Sequence, residues 1–363
     1  MINGKCIGID ARMAEMSGIG TYIQHQLGQG IYDYAVGDET IIRKYDKEVR
    51  VIPFNARIYG PDEQFRFPKK EIQKANIALM HFPHYNVPLT YNEPYVVTVH
   101  DLTHILIPEC LNSKIKTRYA RILMDHTLKH SKRVLTVSEN TKKDIQDIFG
   151  TDERMVRIAG NAADAAFRII GQDETERLTK PFNIPNNKKV LLYVGNLKPH
   201  KNLPRLLEAF KAINREDTIL VLAGRAFDSL SLKEQEETLH IQQSVIYTGE
   251  VTKEELVALY NRADVFVFPS LYEGFGIPPL EAMACGTPVA AANNSSIPEV
   301  VGDAAVLFDA KDTKQIKEAI QQILDNEDLK QECIRKGTER VRLFSWDNVT
   351  ATIKQTLTEA LNT

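Results

Sequence analysis

Short apolar runs alternate with amphipathic segments along most of this chain. The apolar runs have the length of buried strands, and the segments between them carry apolar residues at helical spacing. The predicted strands span residues 5–11, 94–100, 133–137, 189–194, 218–222 and 264–268. Strands that alternate with helices form parallel sheets with helices on both faces, so the pattern predicts an α/β fold.

Capping signals mark the ends of several predicted helices. Ser138 is a suitable N-cap for a helix that ends at Gly150, because glycine favours the position just past a helix. Thr252 and Glu255 have the spacing of a capping box. Further helices are predicted around residues 203–212, 254–261 and 345–361.

The composition changes between about residues 159 and 187. This stretch is rich in Asn, Asp, Gly and Pro and has little periodicity, as expected for a crossing between domains. A chain of 363 residues is long for a single core and suits two domains. The predicted parts are an N-terminal domain, a linker, a C-terminal domain and a final helix, at residues 1–165, 166–187, 188–344 and 345–363.

The overall composition argues against several classes of protein. Hydrophobic residues make up 43% of the chain and charged residues 26%, as in ordinary globular proteins, and the net charge of -3 argues against a nucleic-acid partner. The four cysteines form no C-x-x-C pair, which argues against a zinc site and fits a reducing compartment. Because the sequence has no leader-like apolar start and no bilayer-length apolar run, we expect a cytoplasmic protein, at most peripheral to the inner face of a membrane.

The most informative motif runs from Glu273 to Glu281, where two carboxylates flank a glycine-rich turn. It follows the predicted strand at 264–268, so we expect Glu273 at the strand's carboxyl end and Glu281 on the next helix. Ligands of open α/β sheets bind at that edge, where helix-start amides attract phosphates and carboxylates accept hydrogen bonds from sugar hydroxyls. The alternative is a plain glycine turn with two solvated acids.

This motif and its flanks, Pro-Ser-Leu-Tyr at 269–272 and Ala-Met-Ala-Cys-Gly-Thr-Pro-Val at 282–289, resemble the E-x7-E signature of the retaining glycosyltransferases of family 4. The resemblance extends over nearly the whole chain. It implies the GT-B fold, with two Rossmann-like domains whose parallel sheets face a central cleft. It also implies an acceptor-side first domain, a second domain that binds a nucleotide sugar, and a final helix that returns to the first domain.

The resemblance implies roles for individual residues. His100 would point at the donor sugar and be needed for activity, Lys201 would grip the diphosphate, and Glu273 would face the sugar. Glu281 would take the ribose hydroxyls. The turn at 249–252, which contains Val251, would hold the nucleobase through its backbone. The sugar and phosphates would be lined by the backbone of Gly274, Phe275, Gly276 and Ile277.

A second glycine motif, Gly18-Ile19-Gly20, follows the first predicted strand. Two glycines here let the backbone approach a ligand closely, but the third glycine of a dinucleotide fingerprint is missing. A plain turn explains the motif equally well. In family 4 a similar loop meets the donor diphosphate, so the resemblance favours a ligand-binding loop at Gly18 and Gly20.

The departing nucleoside diphosphate carries about two negative charges that some group has to neutralise. The chain has no D-x-D motif, so we expect no metal ion and no other cofactor, and we assign the task to cations and helix-start amides. Many family members have Arg where this chain has Asn196. Arg225 is the candidate for the missing cation, with Lys198 behind it, although an ordinary exposed arginine explains Arg225 equally well.

Three features have alternative explanations that the sequence leaves open. Residues 81–86, His-Phe-Pro-His-Tyr-Asn, resemble a subset of the family and either shape the acceptor side or serve the fold. Asp101 either orients His100 or touches the acceptor. The stretch 111–135 is basic and amphipathic, which fits either contact with an anionic membrane or a solvated surface helix.

Together with the resemblance, these observations predict a metal-independent, anomer-retaining glycosyltransferase. It would move a hexose from a nucleotide diphosphate sugar to a sugar or lipid-linked sugar acceptor in glycan or polysaccharide biosynthesis. The resemblance to polysaccharide-assembly mannosyl- and rhamnosyltransferases favours GDP-mannose as the donor. One rival is a nucleotide-sugar epimerase or hydrolase, because the same fold serves those enzymes. The other is a catalytically inactive subunit that binds a sugar nucleotide.

Overall fold

The structure is a computed structural model that describes residues 1–56, 58–111, 113–224 and 230–362. The chain forms two compact units. The first contains Met1–Asn161 together with Ser345–Thr363, and the second contains Ala162–Phe344. The first unit is therefore built from two separate stretches of the sequence.

The first unit contains a parallel sheet. Its described strands are Cys6–Asp10 (β1), Tyr34–Gly37 (β2), Arg50–Pro53 (β3), Ile77–Phe82 (β4), Tyr95–Val99 (β5), Arg133–Thr136 (β6) and Val156–Ile158 (β7). They lie in the order β3-β2-β1-β4-β5-β6-β7, and all neighbours are parallel. Parallel sheets are covered on both faces, which explains why the predicted strands were continuous apolar runs.

Helices connect these strands and cover the sheet. They are Ser17–Gln26 (α1), Glu39–Tyr45 (α2), Pro61–Arg66 (α3), Lys69–Lys74 (α4), Thr103–Leu106 (α5), Lys114–His130 (α6) and Glu139–Phe149 (α7). The predicted ends of α7 are confirmed: Ser138 Oγ accepts a hydrogen bond from the Thr141 amide at 3.0 Å, and Gly150 has a left-handed φ of 64°.

The second unit contains another parallel sheet. Its described strands are Lys189–Val194 (β8), Thr218–Ala223 (β9), Val245–Gly249 (β10), Val265–Phe268 (β11), Val289–Ala292 (β12) and Ala305–Phe308 (β13). They lie in the order β10-β9-β8-β11-β12-β13, again with all neighbours parallel. The predicted α/β class with two parallel sheets is confirmed.

The helices of the second unit alternate with its strands. They are Gln172–Thr179 (α8), Leu203–Ile213 (α9), Leu230–Leu239 (α10), Lys253–Arg262 (α11), Ile277–Ala284 (α12), Ile297–Val301 (α13), Thr313–Asp325 (α14) and Glu327–Val341 (α15). The predicted capping box of α11 is present, because Thr252 Oγ1 accepts from the Glu255 amide at 3.2 Å and Glu255 Oε2 accepts from the Thr252 amide at 2.8 Å.

The segment expected to link the domains is structured. Residues 166–187 contain α8, which packs on α11 and belongs to the second unit. The Ile170 amide donates to Asn261 Oδ1 at 2.9 Å, and Thr175 and Thr179 are buried. Threonines rather than large apolar residues fill this contact, so the helical periodicity was too weak to recognise in the sequence.

The last helix, Trp346–Leu361 (α16), returns to the first unit. Ser345 caps it by accepting from the Asn348 amide at 3.2 Å. Its buried residues join the core beside Ile7 and Ile9 of β1; they are Val349, Ile353, Leu357 and Ala360. This helix therefore forms part of the folded first unit.

Among the residues that the structure describes, no helix is both long enough and apolar enough to cross a bilayer.

Candidate functional site

Each sheet has one place where the strand order reverses direction. It lies between β1 and β4 in the first unit and between β8 and β11 in the second. Loops at the carboxyl ends of two such strands turn to opposite faces of the sheet and leave a crevice in which α/β proteins bind ligands. Lys201 follows β8 and Glu273 follows β11, so both lie at the reversal point of the second sheet.

Lys201 and Glu273 are in direct contact. Lys201 ends the short turn Pro199–Lys201, and its Nζ donates to Glu273 Oε1 at 2.6 Å. Each side chain is only 15% exposed, and the ammonium lies 5.5 Å from the centre of the Phe268 ring. A charge-assisted hydrogen bond in such a dry place is stronger than one at the surface.

Backbone hydrogen bonds hold the loops that carry this ion pair. The Leu271 amide donates to the His200 carbonyl at 2.7 Å. The buried Asn202 side chain donates to the carbonyls of Pro269 and Ala310 at 3.0 and 2.7 Å. Asn202 has a left-handed φ of 60°, which asparagine tolerates better than most residues. The geometry of the ion pair is thus set by the loop backbones.

Two serines that the sequence analysis did not single out support the Glu273 loop. Ser295 Oγ accepts from the Glu273 amide at 3.0 Å, and Ser296 Oγ donates toward the carbonyls of Glu273 and Phe275, each at 2.9 Å. Both serines follow β12, the strand beside β11. The polar run at 293–296 directly after an apolar strand was the signal that could have identified them.

The start of α12 concentrates its backbone donors in a short stretch. Gly276, at the N-cap, has a φ of 103°, which glycine adopts without strain. Pro278 and Pro279 follow Ile277 and have no N–H. The amides that a helix start offers to an anion therefore end at Ile277. They fall within residues 274–277, the stretch expected to line the sugar and phosphates.

Glu281 lies in the second turn of α12, as the sequence predicts, and pairs with a tyrosine that the sequence did not reveal. Its Oε2 accepts from the hydroxyl of buried Tyr260 on α11 at 2.9 Å. Burial raises the pKa of Glu281 to about 7, although the Tyr260 hydrogen bond acts in the opposite direction. Near neutral pH this carboxyl changes from a group that can donate to one that only accepts.

The carboxyl ends of β8, β9 and β10 meet at three glycines. The Gly195 amide donates to the Ala223 carbonyl at 3.0 Å, and the Gly224 amide donates to the Gly249 carbonyl at 3.1 Å. Gly224 has a φ of 137°, and a Cβ atom there would lie 1.8 Å from the Gly195 carbonyl oxygen. The two backbones are too close for any side chain at position 224.

Other residues expected to bind the nucleotide surround this region. Asn196 directly follows Gly195, and its Oδ1 is buried without a hydrogen-bond partner among the described residues. Val251 lies between β10 and the N-cap of α11. Lys198 is exposed in the loop after β8. Arg225, the candidate for the missing cation, lies outside the described residues, so its role stays a prediction.

The expected loop conformation at Gly18 and Gly20 is wrong, whereas their contact with the donor diphosphate stays a prediction. Both glycines lie in the first turn of α1. A Cβ atom on Gly20 would be 2.7 Å from the Ala14 carbonyl oxygen, so close backbone packing explains this glycine, whereas a Cβ atom on Gly18 would meet nothing within 4 Å. Glycine is a poor helix former, and the pair therefore looked like a turn in the sequence.

His100 directly follows β5 and is held in one tautomer. Its Nε2 is 2.9 Å from the Pro83 carbonyl oxygen, which can only accept, so Nε2 carries the hydrogen. The ring packs edge-on against buried Tyr22, with 4.8 Å between ring centres. Burial lowers the pKa of His100, although the Pro83 carbonyl and the Asp101 carboxylate oppose it. The neutral ring leaves Nδ1 as an acceptor.

Hydroxyl and imidazole groups cluster at the same edge of the first sheet. Tyr59 Oη is 3.3 Å from both His84 Nε2 and Tyr85 Oη, and Tyr85 Oη is 3.1 Å from His104 Nδ1. Burial lowers the pKa of His84 to about 3, so its imidazole is neutral. The Tyr59 ring is exposed and its φ is 61°, unusual for an aromatic residue.

The residues of the 81–86 segment have different surroundings in the structure. His81 is fully buried and hydrogen-bonds to Tyr32 and Thr98 at 2.7 and 2.8 Å, so it serves the fold. His84 and Tyr85 belong to the polar cluster. Asp101 accepts from the Thr103 amide at 2.8 Å. Burial opposes ionisation of Asp101, but the hydrogen bonds from Thr103 and the nearby His104 and His100 rings together outweigh it, so the pKa of Asp101 lies below its usual range.

A buried ionic network centred on Arg12 supports this cluster, and the sequence analysis missed it. The Arg12 guanidinium donates to Asp10 and Glu63, in each case as close as 2.6 Å, and all three side chains are buried. Glu63 also accepts from the Asn86 side chain at 2.6 Å and from the Tyr59 amide at 2.8 Å. The network thus fixes Tyr59. Its local signal was Asp10-x-Arg12 at the end of an apolar strand.

Among the described residues, no group of three or more His, Cys, Asp or Glu side chains is arranged to hold a metal ion. Whether activity needs a metal stays a prediction.

The sequence matches two family descriptions. Residues 174–340 match "Glycosyl transferases group 1", and residues 34–167 match "Glycosyltransferase Family 4". The chain is 31% identical over 276 residues to O-antigen chain mannosyltransferase B of Escherichia coli. The matched region covers 75% of this chain and 72% of that protein. It is 29% identical over 289 residues to O-antigen chain mannosyltransferase RfbU of Salmonella typhimurium, with 80% and 76% covered.

A solved structure has the same fold. Anabaena Alr3699/HepE in complex with UDP and glucose matches with a TM-score of 0.81 at 18% identity, over 97% of this chain and 99% of that one. At this level of identity the likeness concerns the fold alone, and it confirms the predicted GT-B class.

Proposed function

We propose a specific transfer reaction for this chain, which belongs to the group 1 glycosyltransferases of family 4 and is therefore a glycosyltransferase. It moves a hexose from a nucleotide diphosphate sugar to a sugar or lipid-linked sugar acceptor in glycan or polysaccharide biosynthesis. GDP-mannose is the proposed donor, because two relatives are named O-antigen chain mannosyltransferases. UDP-glucose is the main competitor, since Alr3699/HepE is described with UDP and glucose.

The ion pair between Lys201 and Glu273 is the observation that carries this proposal. The ammonium lies at the reversal point of the donor-side sheet, within one loop of the amides that precede α12. Lys201 neutralises the departing diphosphate, and those amides add partial positive charge. Glu273 accepts hydrogen bonds from the donor sugar. Because cations and amides supply the charge, the proposed reaction needs no metal ion.

The nucleoside half of the donor is assigned to neighbouring elements. Ionised Glu281 accepts hydrogen bonds from the ribose hydroxyls, and Tyr260 orients its carboxylate. The backbone around Val251 holds the base. Many family members have an arginine at the position of Asn196, and Arg225 is proposed to supply the missing positive charge.

The first unit supplies the acceptor side. His100 offers Nδ1 to a hydroxyl of the donor sugar, since its Nε2–H is already used by Pro83. The polar cluster that includes Tyr59, His84 and Tyr85 binds the acceptor sugar through its hydroxyl and imidazole groups. The diphosphate oxygen that leaves the anomeric carbon takes the acceptor hydroxyl's proton on the same face. The new bond then forms with retained configuration and without an enzyme nucleophile.

A transfer assay tests the donor and the site together. The wild-type chain is supplied with GDP-mannose, UDP-glucose or a TDP-sugar, soluble or lipid-linked sugar acceptors, and a chelator in a parallel set. We expect transfer from GDP-mannose that the chelator does not slow. Lys201→Ala and Glu273→Ala should each lower kcat/KM by about 100-fold or more, the range found when a transition-state charge contact is lost.

Lys189→Ala is the matched control. Lys189 pairs with Asp264 at 3.2 Å at the amino ends of β8 and β11, the opposite edge of the same two strands. The Lys189→Ala protein should transfer sugar at the wild-type rate. Equal transfer rates in the wild type and all three variants would contradict the assignment of Lys201 and Glu273 to the site. Epimerisation or hydrolysis of the donor without transfer would contradict the proposed reaction and favour an epimerase or hydrolase.

A further inference from the structure

The helix α6 has an exposed apolar face that its fold does not use. Ile115, Tyr119 and Ile122 are spaced by four and three residues, which places them on one side of the helix. They are 82%, 38% and 53% exposed. Single exposed apolar residues are common, but three in a row along one helical face form a continuous patch.

The opposite face of α6 already anchors the helix in the first unit. Its buried residues are Ala120, Leu123, Met124, Thr127 and Leu128. Successive residues are 100° apart around a helix, so Ala120, Met124, Thr127 and Leu128 point away from the Ile115 face, and Leu123 borders it beside Tyr119. The helix is therefore apolar on two opposed faces, and only one of them contributes to the core. The exposed face needs another explanation.

Positive charge surrounds this exposed face. The helix carries five basic side chains against a single acidic one, Asp125, although the whole chain has a net charge of -3. The basic residues are Lys114, Lys116, Arg118, Arg121 and Lys129, and all of them are exposed. Lys114 and Arg118 lie one turn apart beside the apolar stripe, and Lys116 lies on its other side.

We infer that the exposed face of α6 docks on an anionic lipid bilayer. Isoleucine and tyrosine side chains flanked by Lys and Arg match a membrane surface, where the apolar groups enter the headgroup region and the cations meet anionic lipids. A nucleic acid would use the cations but would leave the isoleucines in water. The inference concerns where the chain works and does not depend on which sugar it transfers.

Vesicle co-sedimentation of the purified full chain tests this docking. The vesicles are phosphatidylcholine alone or phosphatidylcholine with phosphatidylglycerol, each at low and high salt. We expect binding to the anionic vesicles, weakened by salt, and little binding to the neutral ones. The double variant Ile115→Ser/Ile122→Ser and the double variant Lys114→Gln/Arg118→Gln should each lose about tenfold or more in affinity.

Leu343→Ser is the control, because Leu343 is an apolar residue of the second unit that is 63% exposed and does not belong to this patch. It should bind like the wild type, and all variants should keep the wild-type melting temperature and transfer to a soluble acceptor. Equal binding of wild type and both double variants would overturn the inference. Absence of wild-type binding to the anionic vesicles would overturn the inference as well. So would a wild-type dimer that forms through this face and is lost in the isoleucine double variant.

Discussion

Lys201 and Glu273 form an ion pair in which their charges neutralise each other. This arrangement holds the largely enclosed ammonium in one position, whereas a lone charge in the same place would carry a desolvation cost. A diphosphate competes with Glu273 for the same ammonium. We expect Lys201 to shift toward the phosphate on donor binding, which frees the Glu273 oxygens for the sugar hydroxyls.

Glu281 gives the donor affinity a defined pH dependence. Its pKa of about 7 lies above the ordinary 4.5. The folded state therefore favours the protonated carboxyl, and this contribution to stability is complete below pH 4.5 and lost as the pH rises through about 7. Ribose binding has the opposite dependence, because the ionised form accepts both hydroxyls. We expect nucleoside diphosphate affinity to rise about tenfold from pH 6 to pH 8.

Calorimetric titration of the nucleoside diphosphate at several pH values measures this change. The phosphates of the nucleotide also titrate near pH 6, so Glu281→Gln is the necessary reference. It keeps the nucleotide's own titration and removes that of the carboxyl. The difference between the two profiles should have its midpoint near pH 7. Parallel profiles would show that Glu281 does not bind the nucleotide.

At the residue scale, the sequence located groups but not their partners. Glu273 and Glu281 were recognised because they flank a glycine-rich turn after an apolar strand, and Lys201 was recognised through the resemblance to family 4. Their contacts with Ser295, Ser296 and Tyr260 join positions far apart in the chain, so no local pattern could reveal them. The Arg12 network was hidden for the same reason, because Glu63 lies on a short polar helix with no visible link to β1.

At the scale of secondary structure, the approach of β8 and β9 at Gly195 and Gly224 is the tightest constraint near the site. Gly224→Ala would force a Cβ atom to within 1.8 Å of the Gly195 carbonyl oxygen and would place alanine at a φ of 137°. We expect a loss of about 3 kcal/mol in the free energy of unfolding of the second unit. Nucleotide affinity should fall as well, because the loop that carries Lys201 starts at Gly195.

Thermal unfolding and nucleotide titration of Gly224→Ala check this expectation. Gly171→Ala is the comparison, since a Cβ atom there meets nothing within 4 Å and the φ of Gly171 is an ordinary -68°. It should cost less than about 1 kcal/mol, the value of a weaker N-cap. A Gly224→Ala protein as stable as Gly171→Ala would show that the two strand ends separate easily.

The sequence predicted elements well where their signal was strong. The strands β8, β9 and β11, the caps of α7 and α11 and the start of α16 all lie where the sequence indicated them. It failed at α1, whose first turn contains two glycines, and at α8, whose buried residues are threonines. In both helices tertiary packing, which the local sequence does not display, decides the structure.

At the scale of the whole molecule, the first unit depends on residues from the end of the chain. Ile353 and Leu357 of α16 are completely buried in a core cluster that includes residues of β1 and α1, and the helix packs against β4, β5 and β6. Ile353→Ala should lower the free energy of unfolding of the first unit by about 2–4 kcal/mol, the usual cost of such a cavity. The second unit has its own core, so its stability should not change.

Hydrogen exchange followed by peptide mass analysis separates the two units. Amides of β1, β4 and β5 should exchange faster in Ile353→Ala, and those of β8, β11 and β12 should exchange as in the wild type. Lys354→Ala, at the neighbouring exposed position, should change neither set. Faster exchange throughout both units would mean that they unfold as one cooperative body.

The split first unit also sets an order of events during translation. Residues 1–161 leave the ribosome before the second unit, yet α16, which packs against β4, β5 and β6, is made only after it. At ordinary elongation rates the intervening second unit takes roughly ten seconds or more to synthesise. Throughout that interval the apolar side of the nascent N-terminal sheet lacks its cover. The first unit is therefore completed only after the second unit has been made, and until then a chaperone would have to shield it.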